Sequence, residues 1–193
     1  MVKDRKNIIL QSLASMLEEK NLSKVTTALL AKKSGITEAA LYRHFPSKRS
    51  IYAELFSFCD NAIFQKCNEL KKSDILTNEK IKNIFVFFVI FIEKNKGFAR
   101  LLSREALSSG EQNVSEDVNQ FYERLELVIR QILKEDSDNL ISQAGLSAQV
   151  IVTVLEGSIG RYIRSKFKDS PSTYVDNLSV SYTHLTLPTT PYV

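Results

Sequence analysis

Apolar residues recur along this chain at helical rather than strand spacing, and the pattern predicts an all-α protein. Between Lys3 and Glu19 the apolar positions Ile9, Leu10, Leu13, Met16 and Leu17 mark one face of a first helix, with Lys3, Arg5 and Lys6 at its front. Asn21, Ser23 and Thr26-Thr27 make the turn into the next. A long helix is expected over 48–71, carrying Ile51, Leu55, Phe58, Ala62 and Phe64; Phe56 and Phe58 cannot both lie centrally on its buried face. Asn78 and Glu79 open a fifth helix whose unbroken apolar run, Ile84 to Ile92, predicts a central position; the run is too short for a bilayer, which needs ~20 residues. A shorter helix follows over 98–107, then one over 114–135 with Val118, Phe121, Leu125, Val128, Ile129 and Ile132 on its core face. After a charged break at 136–139, an eighth helix runs through Val150, Val154, Gly157, Ile159, Gly160, Ile163 and Phe167 to end before Pro171.

Between the first and the long helix lie two short ones joined by a tight turn. Thr26 can cap a helix carrying Leu29, Leu30 and Ala31, and Gly35 supplies the left-handed residue that ends it. Thr37 caps the second, Glu38 suits the positive end of its dipole, Leu41 and Phe45 mark its buried face, and Pro46 stops it. The other face carries Ala39, Ala40, Arg43 and His44, with Tyr42 toward its edge. Small residues near a helix start let the backbone approach base edges in a major groove, and the groups that follow can bond phosphate. Ser47 caps the long helix, with Lys48 and Arg49 in its first turn against the dipole preference. A phosphate there would compensate.

The charge distribution agrees. Residues 1–50 hold ten Lys/Arg against four Asp/Glu, whereas the remainder holds sixteen against eighteen, so the positive field lies on the segment with the helix-turn-helix. Cys59 and Cys67 lie on one helix about 12 Å apart and cannot pair with each other. Without a secretory leader pattern, the reading is a reducing cytoplasm. The histidines, His44 and His184, have no metal-ligand or triad partner near them in sequence, and no glycine-rich phosphate loop is present, so an enzyme, a metal site and a cofactor are not expected. Gly157 and Gly160 interrupt the eighth helix at a cost of roughly 1 kcal/mol each and suggest close helix approach at a dimer interface, with Arg161 and Arg164 beside them.

The run from Leu41 through Tyr42, Arg43, His44, Phe45, Pro46 and Ser47 to Lys48 resembles the TetR family. That resemblance implies a three-helix DNA-binding domain over 1–48 and a helical dimerisation core over 49–178. Tyr174 to Leu178 begins like a ninth helix, and residues 179–193, rich in β-branched residues and proline without helical period, read as a tail foreign to the fold that cuts that helix short. Within the family, the runs Ile9 to Ala14, Thr26 to Ala28, Glu38 to Lys48 and Arg161 to Lys168 are together similar to its nucleoid occlusion branch. That similarity implies a homodimer that binds palindromic chromosomal DNA and, while bound, antagonises polymerisation of the tubulin-like division protein FtsZ near the nucleoid. It also implies DNA contacts at Thr26, Thr27, Thr37, Ala39, Ala40, Tyr42, His44 and Lys48, and an FtsZ-facing surface at Phe58, Lys66, Phe87, Lys94 and Arg100. The alternative is a ligand-responsive TetR-type repressor with a pocket for a small apolar molecule, favoured by the phenylalanines of the fifth helix. Against it, bulky residues crowd where a cavity should be.

Overall fold

A left-handed glycine, three capping hydroxyls and a proline divide the first part of the chain into short helices, and long apolar stripes carry the rest. The structure, a computed structural model, describes residues 2–19, 25–136 and 141–174. The helices are α1 (Val2–Leu17), α2 (Thr27–Lys33), α3 (Glu38–His44), α4 (Lys48–Lys72), α5 (Thr77–Lys94), α6 (Lys96–Leu102), α7 (Gln112–Leu133) and α8 (Ile141–Arg164), with 3-10 turns at Ser109–Glu111, Lys134–Asp136 and Pro171–Tyr174. Among the described residues there is no strand, as the apolar periodicity predicts. The expected turn at Asn21 and Ser23, most of the break at 136–139, the start of a ninth helix and the segment 179–193 lie outside the described residues.

The described residues fall into two compact units, those within 1–63 with 92–121 and those within 64–91 with 122–174. In the first, Ile9, Leu13 and Leu17 of α1, Leu30 of α2, Leu41 of α3 and Ile51 and Tyr52 of α4 are fully buried. Phe56, Phe98 and Phe121 meet with ring centroids 5.7–6.2 Å apart, two of the three pairs edge to face. Of the two competing phenylalanines on α4, Phe56 is thus the buried one and Phe58 the exposed one. A Cβ on Gly97 would stand 2.8 Å from the Ala14 carbonyl oxygen and 3.1 Å from Leu17 Cβ, so the glycine lets α6 lie directly on α1. Arg100, one turn on, donates from Nη1 at 2.6 Å to the carbonyls of both Leu17 and Glu19, closing the C-terminal end of α1.

In the second unit, Ile81, Ile84, Phe88 and Val89 of α5, Leu125, Ile129 and Ile132 of α7, and Ala148, Leu155 and Ile159 of α8 are buried. Lys80 reaches from α5 to the Lys71 carbonyl at 3.1 Å and to Glu135 at 2.8 Å, while the Arg124 guanidinium lies 3.8 Å above the Phe64 ring.

Three expectations need correction. The eighth helix ends at Arg164 rather than running through Phe167, because Lys166 and Phe167 adopt φ 55° and 62°. The fifth helix is not buried on all sides, since Ile90 is exposed and Val86, Phe87 and Phe91 are only half-buried; its apolar circumference is wider than the face it packs with. The sixth helix ends at Leu102 rather than 107, because Arg104 adopts φ 63° and its N–H turns back to the Leu101 carbonyl at 2.9 Å. No glycine announces that stop; the Arg104 guanidinium, donating to Asn119, helps hold it.

The contact at Gly97 is testable. Gly97→Ala should destabilise the protein by about 1–3 kcal/mol, because a backbone carbonyl cannot move aside for the methyl. A lowered urea midpoint at unchanged slope is expected, and an unchanged midpoint would contradict the close approach.

Candidate nucleic-acid interface

The turn between α2 and α3 is built from local rules. Thr26 accepts the Leu29 N–H at 3.2 Å, as a helix N-cap does. Past the C-cap Ser34, Gly35 sits at φ 66°, with its N–H on the Lys32 carbonyl at 3.2 Å and the Ile36 N–H on the Ala31 carbonyl at 3.1 Å, a Schellman stop. Thr37 then caps α3 by accepting the Ala40 N–H at 3.2 Å. Phe45, extended at φ −138° as a residue before proline prefers, ends it. Ser47 and Ser50 exchange N–H to hydroxyl bonds of 3.1 and 3.2 Å and start α4. With Leu41 and Phe45 buried, the opposite side of α3 faces out.

That outer side gathers most of the expected residues. Ala39 is exposed and Ala40 half-buried, so the first turn presents backbone and methyl groups only; Tyr42 is 47% exposed, Arg43 is exposed and His44 half-buried. Thr26 and Thr37 are both exposed. Capping uses a lone pair on each hydroxyl and leaves its O–H to donate outward, the polarity a phosphate oxygen needs. Thr27 behaves differently: its hydroxyl donates to the Glu38 carboxylate, which ties α2 to α3. The expectation of a phosphate contact there is corrected, since that proton is committed within the fold. Leu29, expected among apolar packing positions, is exposed, and Leu30 and Ala31 carry the packing instead. At the front of α1, Lys6 lies 5.2 Å above the Phe45 ring, which brings a cation to the end of α3.

Lys48 also departs from expectation. Its ammonium lies 3.1 Å from Oε1 of Glu111 and 5.1 Å from the centre of the Tyr52 ring, rather than open to solvent on the α3 side. The Glu111 side chain is 4% exposed and accepts the Ser108 N–H at 2.9 Å as well as the Ser108 hydroxyl. Burial works to raise its pKa. The Ser108 bonds and the Lys48 bond and charge outweigh it and hold the carboxyl below its ordinary value. Burial, with the Glu111 charge beside it, keeps the Tyr52 phenol protonated well above its usual range. Parting a buried carboxylate from its cation is costly, and this holds the ammonium at Glu111 although the lysine side chain itself is 25% exposed. Sequence reading missed Glu111. Ser108 and Glu111 have the S-x-x-E spacing of a capping box, but nothing local joins that motif to a lysine sixty-three positions earlier.

The remaining expected positions separate. Phe58 is 68% exposed, Lys94 is exposed, Phe87 is half-buried 5.8 Å from Phe91, and Lys66 pairs with Glu69 at 3.2 Å. Arg100 is corrected: it is 5% exposed, bonded to the end of α1 and paired with Glu105 at 3.3 Å, and so is unavailable to a partner. On α8, a Cβ at Gly157 would meet nothing within 4 Å, whereas at Gly160 it would lie 3.1 Å from the Arg164 guanidinium. Close packing within the chain therefore does not explain Gly157, and Gly160 is approached only by the far end of the Arg164 side chain. Arg161 is exposed and pairs with Asp169 at 3.6 Å. Both cysteines are buried thiols whose pKa burial pushes up to about 12. Among the described residues no helix is long and apolar enough to cross a membrane.

Comparison with known proteins adds a second line. Residues 9–55 match the tetR family of bacterial regulatory proteins, and residues 75–186 match the SlmA-like C-terminal domain of tetracyclin repressor-like proteins. The latter match continues into the stretch from 179 that the sequence pattern sets apart. The chain is 38% identical over 179 residues to the nucleoid occlusion factor SlmA of Vibrio campbellii, covering 90% of this chain and 91% of that protein. It is 35% identical to SlmA of Vibrio cholerae, covering 90% and 91%. Among solved structures, the fatty acid degradation regulator FadR from Bacillus halodurans superposes with a TM-score of 0.76 over 92% of this chain and 94% of its own, at 13% identity. That similarity shows the fold.

The Glu111 pair makes stability depend on acid. A carboxyl whose folded pKa is lowered contributes stability that is present above its unfolded value of about 4.3 and is lost as pH falls toward the folded one. Glu111→Gln should therefore be less stable than wild type at pH 7, with the difference shrinking below about pH 4.3. Parallel stability curves from pH 7 to pH 3 would contradict the assignment.

Proposed function

The chain belongs to the TetR family of bacterial DNA-binding regulators, and from that premise we propose that it is a nucleoid occlusion factor. As a homodimer on palindromic chromosomal sites, it restrains assembly of FtsZ over the nucleoid. The observation that carries the DNA part is the outer side of α3: small residues at its start, Tyr42, Arg43 and His44 after them, and two capping threonines whose O–H groups remain for phosphate. Residues 1–48 are the DNA-binding segment and 49–178 the core. Ala39 and Ala40 admit the backbone to the groove; Thr26, Thr37, Tyr42 and His44 fix its register on phosphates.

Dimerisation is supported by a row on α8 that is exposed throughout except at half-buried Gly160. Leu146, 65% exposed, is followed by Val150, Thr153, Gly157, Gly160 and Arg164 at alternating steps of four and three, the spacing of a helix seam. For nucleoid occlusion, the support is the identity to SlmA across nine-tenths of both chains. FtsZ is taken by surface residues of α4 and α5: Phe58 and Phe87 supply apolar contact, Lys66 and Lys94 the charge for an acidic partner segment.

Two measurements test this reading. Tyr42→Ala should weaken binding to every duplex by about tenfold or more, the loss of one bond to a charged acceptor, and unchanged affinity would remove Tyr42 from the interface. Purified protein should bind immobilised FtsZ more strongly with chromosomal DNA fragments than without. Charge reversal at Lys66 or Lys94 should abolish that capture while sparing DNA binding. A folded dimer that binds DNA but never FtsZ would overturn the nucleoid occlusion reading, and release of its DNA by a small apolar molecule would establish the ligand-responsive repressor instead.

A further inference from the structure

Lys48 stands at the first position of α4, directly after the turn that ends α3, where a cation would be expected to serve a DNA phosphate. Its ammonium is instead 3.1 Å from a carboxylate that is almost fully buried and 5.1 Å from the Tyr52 ring centre. The carboxylate is fixed in turn by the backbone N–H and hydroxyl of Ser108, so it cannot follow the lysine outward. Drawing Lys48 to a phosphate would leave Glu111 charged, desolvated and without its cation, which opposes the exchange.

We infer that Glu111 is a positioning residue for DNA binding: it holds the Lys48 ammonium back from the phosphate backbone and limits the affinity of the domain for DNA of any sequence. The inference rests on the DNA-binding reading of α2 and α3. Arg43 and Arg49, exposed on either side of the turn, carry positive charge on that surface, while the Lys48–Glu111 pair presents no net charge. Because the phosphate term is common to specific and non-specific binding, the pair lowers both affinities alike and leaves their ratio unchanged. The carboxylate comes from the 3-10 turn between α6 and α7.

The test uses the full chain, a random-sequence duplex of several helical turns, and a salt series. Wild type fixes the reference slope of log affinity against log salt. Glu111→Gln keeps the shape and the Ser108 contact but removes the charge, so Lys48 becomes available. Its slope should be steeper by about 0.9 for each bound protomer, and a fourfold rise in salt should cost it about 3.5-fold more affinity per protomer than wild type. In the double variant K48M/E111L, which replaces both charges with apolar groups, the slope should equal that of wild type. Circular dichroism and melting verify that each variant is folded. An unchanged or shallower slope in folded E111Q, or a slope shallower by about 0.9 per protomer in the double variant, overturns the inference while leaving the DNA reading standing. Absence of salt-dependent binding by wild type overturns the DNA reading, and this inference with it.

Discussion

A helix of seven residues cannot hold itself together in water, yet α3 carries the surface that we propose meets DNA. Everything around it supplies the order that its length cannot. Thr37 and Phe45 define its two ends, Leu41 and Phe45 anchor its inner side, and the Thr27 hydroxyl fastens its first residue, Glu38, to α2. The next layer reaches further along the chain. Gly97 and Arg100 of α6 lock the far end of α1, and Glu111 takes hold of the start of α4. The first unit therefore includes residues well beyond the expected boundary at 48, because short helices borrow their rigidity from distant segments.

This division explains what could be read from the sequence. Features set by two to five consecutive residues were legible: the left-handed Gly35, the capping Thr26 and Thr37, the stop at Pro46, and the choice between Phe56 and Phe58 framed by helical spacing. What was illegible depends on partners remote in sequence. Arg100 and Lys48 both look like exposed cations when each is considered with its neighbours alone. One instead closes the end of α1 eighty-three residues earlier, and the other meets a carboxylate introduced by a capping motif on another element. Arg104 shows a third limit, for it takes a left-handed backbone where glycine would ordinarily signal the stop. Thr27 shows a fourth. A hydroxyl beside a capping position reads as an outward donor until the acid opposite it is known.

The same logic separates the family's common surface from what is particular to this chain. The α2–α3 turn follows rules that any helix-turn-helix must satisfy, and its geometry says little about what the regulator does once bound. Identity to SlmA over nine-tenths of both chains is what supports the more specific reading. Half-buried Val86, Phe87 and Phe91 with exposed Ile90 leave α5 with apolar area that its own unit does not enclose.

The two capping threonines have a thermodynamic consequence. Thr26 and Thr37 are already held in one rotamer by the bonds they accept from Leu29 and Ala40, so a phosphate that accepts their O–H groups orders almost nothing new. Tyr42 and Arg43, solvent-exposed and longer, must surrender rotational freedom when they engage. On the proposed DNA-binding reading, the capping bonds that stabilise two short helices in the free protein have thus met in advance an entropy cost of docking, and the interface is most nearly preformed where the helices begin.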